Sequence, residues 1–319
     1  MEKGLRVENL KAYYFTRNGI VKAADNISFA LNDGESLGIA GESACGKSTL
    51  ALCMMRMLQP PGKILGGKII LNGTDVLAMS EKEFTKKVRW KRTSMVFQGA
   101  MNALDPVYSI KDQLKEALMH HGFPREKMEV RIQEVVKQVG LDPSVIDRYP
   151  HEMSGGMKQR IVIAMSLLLE PEFVIADEPT TALDVLVQAQ IINLLKKLKN
   201  KGMTIMLITH DLATISEIAD RVGIMYAGEM IEFGSAEQIY NEPKHPYTQA
   251  LIASIPRLKD EKKLSYIKGN PPDLANPPEG CRFYDRCQHA MDVCKQDPPL
   301  LKLKMKDGYV KCWLYQDQQ

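Results

Sequence analysis

A glycine-containing loop near the start of the chain carries the residue types that bind phosphate groups. Residues 41–48 read Gly-Glu-Ser-Ala-Cys-Gly-Lys-Ser and fit the pattern G-x-x-x-x-G-K-[ST]. Glycines let backbone N–H groups turn toward phosphate oxygens, while Lys47 reaches the outer phosphates and Ser48 is placed to bind Mg²⁺. An apolar run at 36–40 and a helical pattern at 47–58 supply the strand–loop–helix context that the pattern requires. The predicted phosphate-binding residues are Gly41, Glu42, Ser43, Ala44, Cys45, Gly46, Lys47, Ser48 and Thr49.

Two carboxylates follow a second apolar run. Residues 173–178 read Phe-Val-Ile-Ala-Asp-Glu, which predicts a buried strand ending at Asp177 and Glu178. A parallel strand beside the first would bring Asp177 to the Mg²⁺ side of the phosphates, and Glu178 to a water that attacks the last phosphate. Alone, an Asp-Glu pair could equally open a loop. In the same chain as the phosphate-binding loop (residues 41–48), it indicates nucleotide hydrolysis.

Composition limits the class of protein. The 319 residues carry 42 basic and 39 acidic side chains, a net charge of +3, which disfavours a sequence-independent grip on nucleic acid. The longest apolar run, residues 161–169, is far shorter than the ~20 residues of a membrane-spanning helix. The first residues show no apolar signal-peptide core. We therefore expect a soluble, cytosolic protein that meets a membrane only through a partner.

The elements that must position these residues alternate along the chain. Apolar runs predict strands at 36–40, 173–176, 203–209 and 222–226. Helical spacing predicts helices at 47–58, 110–121, 125–139, 157–169, 185–200 and 211–219, and it predicts one helix in the first 90 residues. The expected fold is an α/β P-loop NTPase with a helical subdomain inserted at about 100–165. Residues 241–319 hold nine of the 17 prolines, which predicts a loop-rich appendage separate from the α/β core.

A short segment identifies the subclass. Residues 153–157, Met-Ser-Gly-Gly-Met, resemble the LSGGQ signature of ATP-binding-cassette (ABC) proteins, with departures at Met153 and Met157. The Ser154-Gly155-Gly156 core is kept, and it can present a hydroxyl and backbone N–H groups to a phosphate at a helix N-terminus. The resemblance implies the cassette fold and ATP hydrolysis with Mg²⁺.

Other family elements follow in the expected order. Gln98 matches the Q-loop residue, which binds Mg²⁺, senses the nucleotide and faces the membrane partner. Asp184 matches the D-loop, and His210 matches the switch histidine that contacts the γ-phosphate. Tyr14 occupies the position of the aromatic residue that stacks on adenine, with Tyr13 as the competing candidate. The resemblance thus implies both the nucleotide and the residues around it.

The family resemblance also implies partners. Two cassettes join head to tail, and each ATP lies between the phosphate-binding loop of one and the signature of the other. One chain here carries one of each, so it needs a second cassette, either an identical copy or a homologue. An importer adds two membrane permeases and an extracytoplasmic solute-binding protein, which places the chain at the cytoplasmic face of the membrane.

Two alternatives belong to other classes. Soluble ABC proteins that act on ribosomes or DNA carry tandem cassettes in one chain, unlike this sequence. A regulatory cassette without hydrolysis is disfavoured because Glu178, the predicted base, is present.

The C-terminal part carries a narrower resemblance. Residues 245–251 and 254–256, together with Gly280-Cys281-Arg282-Phe283 and Arg286-Cys287, resemble the ATPases of dipeptide and oligopeptide importers. The same branch also serves nickel, glutathione and some sugars. The resemblance implies an ABC ATPase domain at 1–240 and an importer-type extension at 241–319, here called the extension.

Four cysteines of the extension form a candidate metal site. Cys281, Cys287, Cys294 and Cys312 are spaced C-x5-C-x6-C-x17-C, and four thiolates suit tetrahedral Zn²⁺ or a 4Fe–4S cluster. The tight C-x2–4-C pairs typical of zinc sites are absent from this spacing. Some peptide-importer ATPases that resemble this chain carry a 4Fe–4S cluster on such a tail, so the resemblance favours a cluster over zinc or merely buried cysteines. Because the phosphate-binding loop and the signature lie outside the segment, we expect ATP binding to survive replacement of any one of these cysteines by serine.

Overall fold

The computed structural model describes residues 3–254, 267–303 and 308–318. The chain divides into two units, residues 1–78 with 207–319 (unit 1) and residues 79–206 (unit 2). Ile255 and Pro256, which belong to the importer-type pattern, lie outside the described residues.

The strands are mostly short. In chain order they are β1 (Gly4–Thr16), β2 (Gly19–Asn32), β3 (Ser36–Ala40), β4 (Gly62–Leu71), β5 (Thr74–Asp75), β6 (Thr93–Val96), β7 (Phe173–Asp177), β8 (Thr204–Ile208), β9 (Arg221–Tyr226), β10 (Glu229–Ser235), β11 (Leu300–Lys302) and β12 (Tyr309–Lys311).

The α-helices are α1 (Lys47–Met54), α2 (Glu81–Lys87), α3 (Ile110–His120), α4 (Arg125–Gln138), α5 (Gly155–Leu167), α6 (Val185–Asn200), α7 (Leu212–Ile218), α8 (Ala236–Asn241) and α9 (Pro246–Ala253). Among the described residues, none of these helices combines the length and apolar character that crossing a membrane requires.

Unit 1 is built on strands. β2, β1, β4 and β5 form an antiparallel sheet in that order. A second set has the order β11-β12-β10-β9-β3, in which β3 and β9 are parallel. Every residue of β3 is buried, as is typical of a strand covered on both faces. The phosphate-binding loop leaves the carboxyl end of this strand, so its starting point is fixed by the core.

Unit 2 combines helices with two parallel strands. β6 lies beside β7, and α3, α4 and α5 pack against one another. The helical spacing of α6 is explained by burial, because its regularly spaced apolar residues Ile191, Leu194, Leu195 and Leu198 are all buried. The segment at 100–165 contains α3, α4 and most of α5, as the helical pattern predicts. The boundary between the two units falls within β8.

The expectation of one helix before residue 90 is wrong, because α2 also forms there. Its signal is a capping box: Ser80 accepts a hydrogen bond from the Glu83 N–H, and Glu83 accepts one from the Ser80 N–H. The predicted helix at 47–58 is shorter than expected and ends at Met54. Arg56 has a φ angle of 51°, a left-handed backbone conformation through which a right-handed helix cannot continue.

The extension is not separate from the α/β core. The separate appendage predicted from its proline-rich composition is therefore wrong. β12 pairs antiparallel with β10, placing Phe233 opposite Tyr309, and β11 adds to the outside of β12. The buried Tyr309 hydroxyl donates to the Ser28 carbonyl oxygen at 2.7 Å. Strand pairing across almost eighty residues of sequence is non-local, and for that reason composition did not indicate it.

Candidate functional site

Two glycines fix the path of the phosphate-binding loop. Gly41 has φ 152° and Gly46 has φ 104°. A Cβ atom on Gly41 would lie 2.1 Å from the Met225 carbonyl oxygen, and one on Gly46 would lie 1.8 Å from the Ala23 carbonyl oxygen. Both positions therefore require glycine, for conformation and for space.

The loop delivers a lysine to the start of α1. Gly46 precedes the helix and has no side chain with which to cap it, so first-turn N–H groups remain to bind an anion. Lys47 is buried, and its ammonium donates to the carbonyl oxygens of Gly41 at 2.7 Å and Glu42 at 2.8 Å. Burial raises the pKa of the Cys45 thiol, so this residue is a neutral side chain within the loop. Lys47 is thus held at the start of α1, beside the N–H groups that are placed to bind phosphate.

The two candidate adenine-stacking tyrosines have different surroundings. The Tyr14 hydroxyl lies 3.3 Å from the Thr49 hydroxyl of α1. Tyr13 instead donates to the Asp25 carboxylate at 2.6 Å, and burial raises the pKa of its phenol. Tyr14 is therefore the tyrosine whose hydroxyl contacts the helix that follows the phosphate-binding loop.

His210 lies at the same strand edge of unit 1 as the loop. The Thr209 N–H donates to the Ile39 carbonyl oxygen of β3 at 3.3 Å, and the exposed His210 follows directly. Gly41 begins the loop two residues after Ile39. The strand ends thus bring the predicted γ-phosphate sensor toward the loop that the sequence pattern identified.

Unit 2 brings a second group of predicted residues together. β6 and β7 are parallel, with Val96 opposite Ala176. Gln98 is exposed two residues beyond Val96, while Asp177 and Glu178 follow Ala176. The carboxyl ends of neighbouring parallel strands therefore place Gln98 beside the two carboxylates, an arrangement that no sequence spacing specified.

The carboxylate of Glu178 is oriented by a local contact. Glu178 has φ 46°, in the left-handed region that non-glycine residues seldom adopt. The Thr181 hydroxyl donates to Glu178 Oε2 at 2.8 Å, and the Thr181 N–H donates to the Glu178 carbonyl oxygen at 3.2 Å. A left-handed residue at a strand end is a strained position of the kind found at functional sites.

The signature segment (residues 153–157) forms a capped helix start. Ser154 precedes α5, and its hydroxyl accepts a hydrogen bond from the Met157 N–H at 3.3 Å. Met153 is buried, which explains why methionine, close to leucine in volume, can stand in the signature's first position. Ser154 and Gly155 are exposed. Ser154 and Gly155 therefore lie at an exposed helix N-terminus, where the sequence pattern predicts that they present a hydroxyl and backbone N–H groups.

The D-loop residue caps a neighbouring helix. Asp184 accepts a hydrogen bond from the Val187 N–H at 2.9 Å at the start of α6. A Cβ atom on Gly156 would lie 2.7 Å from Val187 Cγ1, so the signature helix approaches α6 closely at this glycine. The signature and the D-loop are therefore packed against each other within unit 2.

Two residues of the extension contact the phosphate-binding loop. The Tyr247 hydroxyl accepts a hydrogen bond from the Glu42 N–H at 3.0 Å, and Arg286 donates to both oxygens of the Glu42 carboxylate. The sequence contained both residues only as parts of the importer-type pattern, and their arginine-to-glutamate pairing spans 244 positions. The phosphate-binding loop is therefore in direct contact with the extension, and survival of ATP binding without the cysteines stays a prediction.

The four cysteines of the extension line one small cavity. Cys281, Cys287, Cys294 and Cys312 surround a space of about 10 Å³, together with His245 and His289, and none of its described lining residues is a carboxylate. The Cys281 N–H donates to the Cys294 carbonyl oxygen at 2.8 Å. The cavity holds about one water molecule, so a larger metal centre requires the side chains to spread.

Two of the sulfur donors, Cys294 and Cys312, are buried, and the other two are partly buried. Burial raises the pKa of Cys281 to about 12 and that of Cys312 to about 11, and it also raises the pKa of Cys287. In the part of the chain that the structure describes, no group of three or more His, Cys, Asp or Glu side chains has the geometry to hold a metal ion. The donor chemistry suits a soft metal centre, while the side chains have the arrangement of four free cysteines.

Two family models match the chain. Residues 24–181 match ABC transporter, and residues 231–294 match the oligopeptide/dipeptide transporter C-terminal region. The second match includes Tyr247, Arg286 and three of the four clustered cysteines.

Curated relatives match along the full length. The chain is 43% identical to the dipeptide transport ATP-binding protein DppD of Caldanaerobacter subterraneus subsp. tengcongensis, over 98% of this chain and 97% of that protein. It is 44% identical to DppD of Bacillus subtilis, over 100% and 96%. It is 42% identical to the oligopeptide transport ATP-binding protein OppD of Bacillus subtilis, over 97% and 88%.

Solved structures share the fold. CbiO1 of Clostridium perfringens, part of the ABC transporter complex cbiONQ, is 28% identical with a TM-score of 0.66, over 76% of this chain and 92% of that one. A dimeric post-hydrolysis state of the ATP-binding cassette MJ0796, bound to ADP and Pi, is 26% identical with a TM-score of 0.64, over 73% and 98%. The loop, the signature and the full-length similarity agree: this chain belongs to the ABC transporter family of ATP-binding proteins, in the branch with the oligopeptide/dipeptide C-terminal region.

Proposed function

We propose that this chain hydrolyses ATP to drive a membrane importer of dipeptides or oligopeptides. The observation that carries the proposal is the full-length similarity to dipeptide and oligopeptide transport ATP-binding proteins, which includes the extension as well as the cassette. The cassette supports ATP hydrolysis, and the extension supports the peptide-transporting branch.

The reaction is ATP + H₂O → ADP + phosphate, and the residues proposed for it are taken for each unit by itself. In unit 1, Lys47 and the N–H groups of the loop bind phosphate oxygens, Ser48 binds Mg²⁺, Tyr14 stacks on adenine and His210 contacts the γ-phosphate. In unit 2, Gln98 and Asp177 bind Mg²⁺, Glu178 polarises the attacking water, and Asp184 lies at the D-loop. The bound Mg²⁺ neutralises charge on the phosphates.

Glu178 acts as the base in this scheme. Its carboxylate accepts a hydrogen bond from the Thr181 hydroxyl at 2.8 Å, which orients the group at the end of β7. Gln98 follows β6, the strand that pairs with β7, at the same edge of the sheet. The arrangement supports a positioned water beside a Mg²⁺ ligand, as phosphoryl transfer requires.

A second cassette completes the proposed assembly. Ser154, Gly155 and Gly156 present an exposed helix start to the nucleotide bound by the partner cassette. The similar cassette MJ0796 was solved as a dimer. Two membrane permeases then receive the closing motion at the surface around Gln98, at the cytoplasmic face of the membrane, and an extracytoplasmic binding protein supplies the peptide. The proposed domains are the cassette at 1–240 and the extension at 241–319.

Transport by intact cells tests the solute. In a strain lacking the gene, the wild-type chain should restore uptake of labelled dipeptides or oligopeptides, whereas Glu178→Gln should not. Uptake of Ni²⁺, glutathione and sugars is measured in parallel. Restoration of one of these, with no effect on peptides, would reassign the importer.

The cysteine cluster (Cys281, Cys287, Cys294 and Cys312) is the proposed ligand set of a 4Fe–4S centre. Its four sulfurs around one cavity support the donor set, and thiolates are the usual ligands of such clusters. The centre joins segments separated by 17 intervening residues and so would strengthen a proline-rich region.

Metal analysis of protein purified without oxygen separates the alternatives. About four irons per chain, with absorption near ~400 nm, supports the cluster. One zinc per chain assigns a zinc site, and absence of both metals assigns buried thiols. Cys53→Ser should leave the metal content unchanged, because Cys53 is buried but lies outside the cluster.

A further inference from the structure

Glu42 in the phosphate-binding loop is held at its backbone and at its side chain by the extension. Its N–H donates to the Tyr247 hydroxyl at 3.0 Å. Arg286 Nη1 donates to Oε2 at 2.7 Å, and Nη2 donates to Oε1 at 2.8 Å. A two-pronged arginine–carboxylate pair fixes orientation as well as distance. Three hydrogen bonds therefore hold one residue of the loop.

The ion pair is shielded from water on the arginine side. The Arg286 side chain is 6% exposed, and the Glu42 side chain is 26% exposed. Arg286 also donates to the Tyr226 hydroxyl at 3.1 Å and lies over the rings of Tyr226 and Phe283. Removing the Glu42 carboxylate would leave the buried Arg286 charge without compensation, so the pair is sensitive to substitution.

Arg286 is positioned by a tight turn. The Arg286 N–H donates to the Phe283 carbonyl oxygen at 3.0 Å, and its Nε donates to the Lys268 carbonyl oxygen at 3.0 Å. Phe283 is buried, and its ring meets those of Tyr226 and Tyr247 edge-on, with centroids 5.3 and 5.4 Å away. The arginine thus has little freedom to follow the loop if the loop moves.

Tyr247 is equally constrained. Its side chain is fully buried, and its ring centroid lies 4.6 Å from that of Tyr226. The helix that carries it, α9, is capped by His245, whose Nδ1 accepts a hydrogen bond from the Tyr247 N–H at 3.0 Å. The buried Glu232 accepts the His245 N–H at 2.9 Å. The hydroxyl that holds the loop is therefore fixed by the core of unit 1.

The same residue of the loop also contacts the phosphate-binding lysine. The Glu42 carbonyl oxygen accepts a hydrogen bond from Lys47 Nζ at 2.8 Å. A change in the position of the Glu42 backbone therefore changes the position of the Lys47 ammonium. The chain of contacts runs from Arg286 and Tyr247, through Glu42, to the group that binds phosphate.

We infer that Arg286, with Tyr247, is a positioning residue for the phosphate-binding loop, so that the affinity of the cassette for ATP depends on the extension. Neither residue binds nucleotide itself. The pair holds the loop in the shape that its glycines permit, which lowers the ordering cost of binding phosphate. The inference rests on the proposed ATPase function and adds residues outside the nucleotide-binding sequence motifs.

Nucleotide binding by the full-length protein tests the inference. Arg286→Gln should raise the Kd for Mg²⁺ with a fluorescent ATP analogue roughly tenfold, about 1.4 kcal/mol. In ATPase assays KM should rise, while kcat at saturating ATP should change less than about twofold, because the reacting groups are untouched. Arg286→Lys should recover part of the affinity, since lysine keeps the charge but loses the fork.

Matched tyrosines provide the control. Tyr247→Phe removes the acceptor of the Glu42 N–H and should weaken nucleotide binding roughly threefold. Tyr309→Phe also removes a hydroxyl hydrogen bond in unit 1, to the Ser28 carbonyl oxygen, and should leave nucleotide affinity unchanged. Thermal unfolding of both variants shows whether they lose stability equally.

Two outcomes decide the question. If the wild-type chain binds ATP and Arg286→Gln binds it equally well, the inference is overturned while the ATPase proposal stands. If the wild-type chain does not bind ATP, the proposed function itself fails. Should Arg286→Gln not fold, Glu42→Gln, which removes the carboxylate charge of the same pair, is measured instead, with the same increase in Kd expected and an unchanged Kd as the contrary result.

Discussion

Two helices of this chain begin at glycine-containing segments that the family uses for ATP, and they begin differently. α1 starts after Gly46, which has no side chain to cap it. α5 starts after Ser154, whose hydroxyl accepts the Met157 N–H at 3.3 Å. The first helix start therefore has N–H groups to offer a phosphate within its own loop, whereas the second is partly satisfied by its own side chain.

The surroundings of the two segments differ in the same sense. Gly41, Cys45, Gly46 and Lys47 are buried, and the loop is held from behind by the extension, whereas Ser154 and Gly155 are exposed. A supported loop with half of its eight residues buried suits a site that binds nucleotide by itself. An exposed, capped helix start suits a surface that completes the site of another cassette.

The largest effect is expected at Glu178, in unit 2. Glu178→Gln should lower ATP turnover ~10²–10⁴-fold, because a neutral amide does not polarise water, and should leave ATP affinity within about threefold. Turnover and nucleotide affinity are measured separately. Glu172→Gln is the control, since Glu172 forms an ion pair with Arg92 just before the same strand. Normal turnover by Glu178→Gln would remove Glu178 from the mechanism.

Ser154→Arg tests directly whether the signature serves another cassette. The variant should lose at least about tenfold in ATPase rate, because the larger cation blocks the exposed helix start, yet should bind nucleotide normally as a separate chain. Mixing it with Glu178→Gln restores one intact site if the signature acts on the partner's ATP and the chain pairs with its own copy. Lower nucleotide affinity in the isolated Ser154→Arg chain would contradict the contrast.

Neighbouring glycines of the signature should respond differently to alanine. A Cβ on Gly156 would lie 2.7 Å from Val187 Cγ1, and the stiff valine cannot easily move, so Gly156→Ala should cost about 1–3 kcal/mol of stability. A Cβ on Gly155 would lie 3.6 Å from its nearest neighbour, so Gly155→Ala should be tolerated. Chemical unfolding of both variants measures this, and equal losses would refute the packing argument.

The smallest effect concerns the cap itself. Ser154→Ala and Ser80→Ala each remove a helix-capping serine from unit 2 and should each lose about 1 kcal/mol of unfolding free energy. Only Ser154→Ala should also slow ATP hydrolysis, because only that hydroxyl belongs to the signature. Parallel unfolding and ATPase assays give both values. An equal slowing by Ser80→Ala would show that lost stability alone explains the effect.

Local sequence was sufficient for the elements whose signals are short-range. β3 and α6 have the predicted bounds because continuous apolar residues and helical spacing each reflect burial of nearby side chains. The phosphate-binding loop requires glycine at positions 41 and 46, because Gly41 and Gly46 have positive φ angles. Its sequence pattern can therefore be recognised without a structure. The helix α2 was missed although its capping box, Ser80 to Glu83, was available in the sequence.

Only the tertiary structure decided the role of the extension. Its prolines predicted a separate appendage, but β12 pairs with β10 and the extension's side chains enter the core of unit 1. The contacts of Arg286 and Tyr247 with Glu42 join residues more than 200 positions apart, where no periodicity or spacing carries information. Sequence by itself determined the chemistry of the phosphate-binding loop, because that chemistry depends on neighbouring residues. The contacts that support the loop come from residues distant in sequence, so only the tertiary structure shows them.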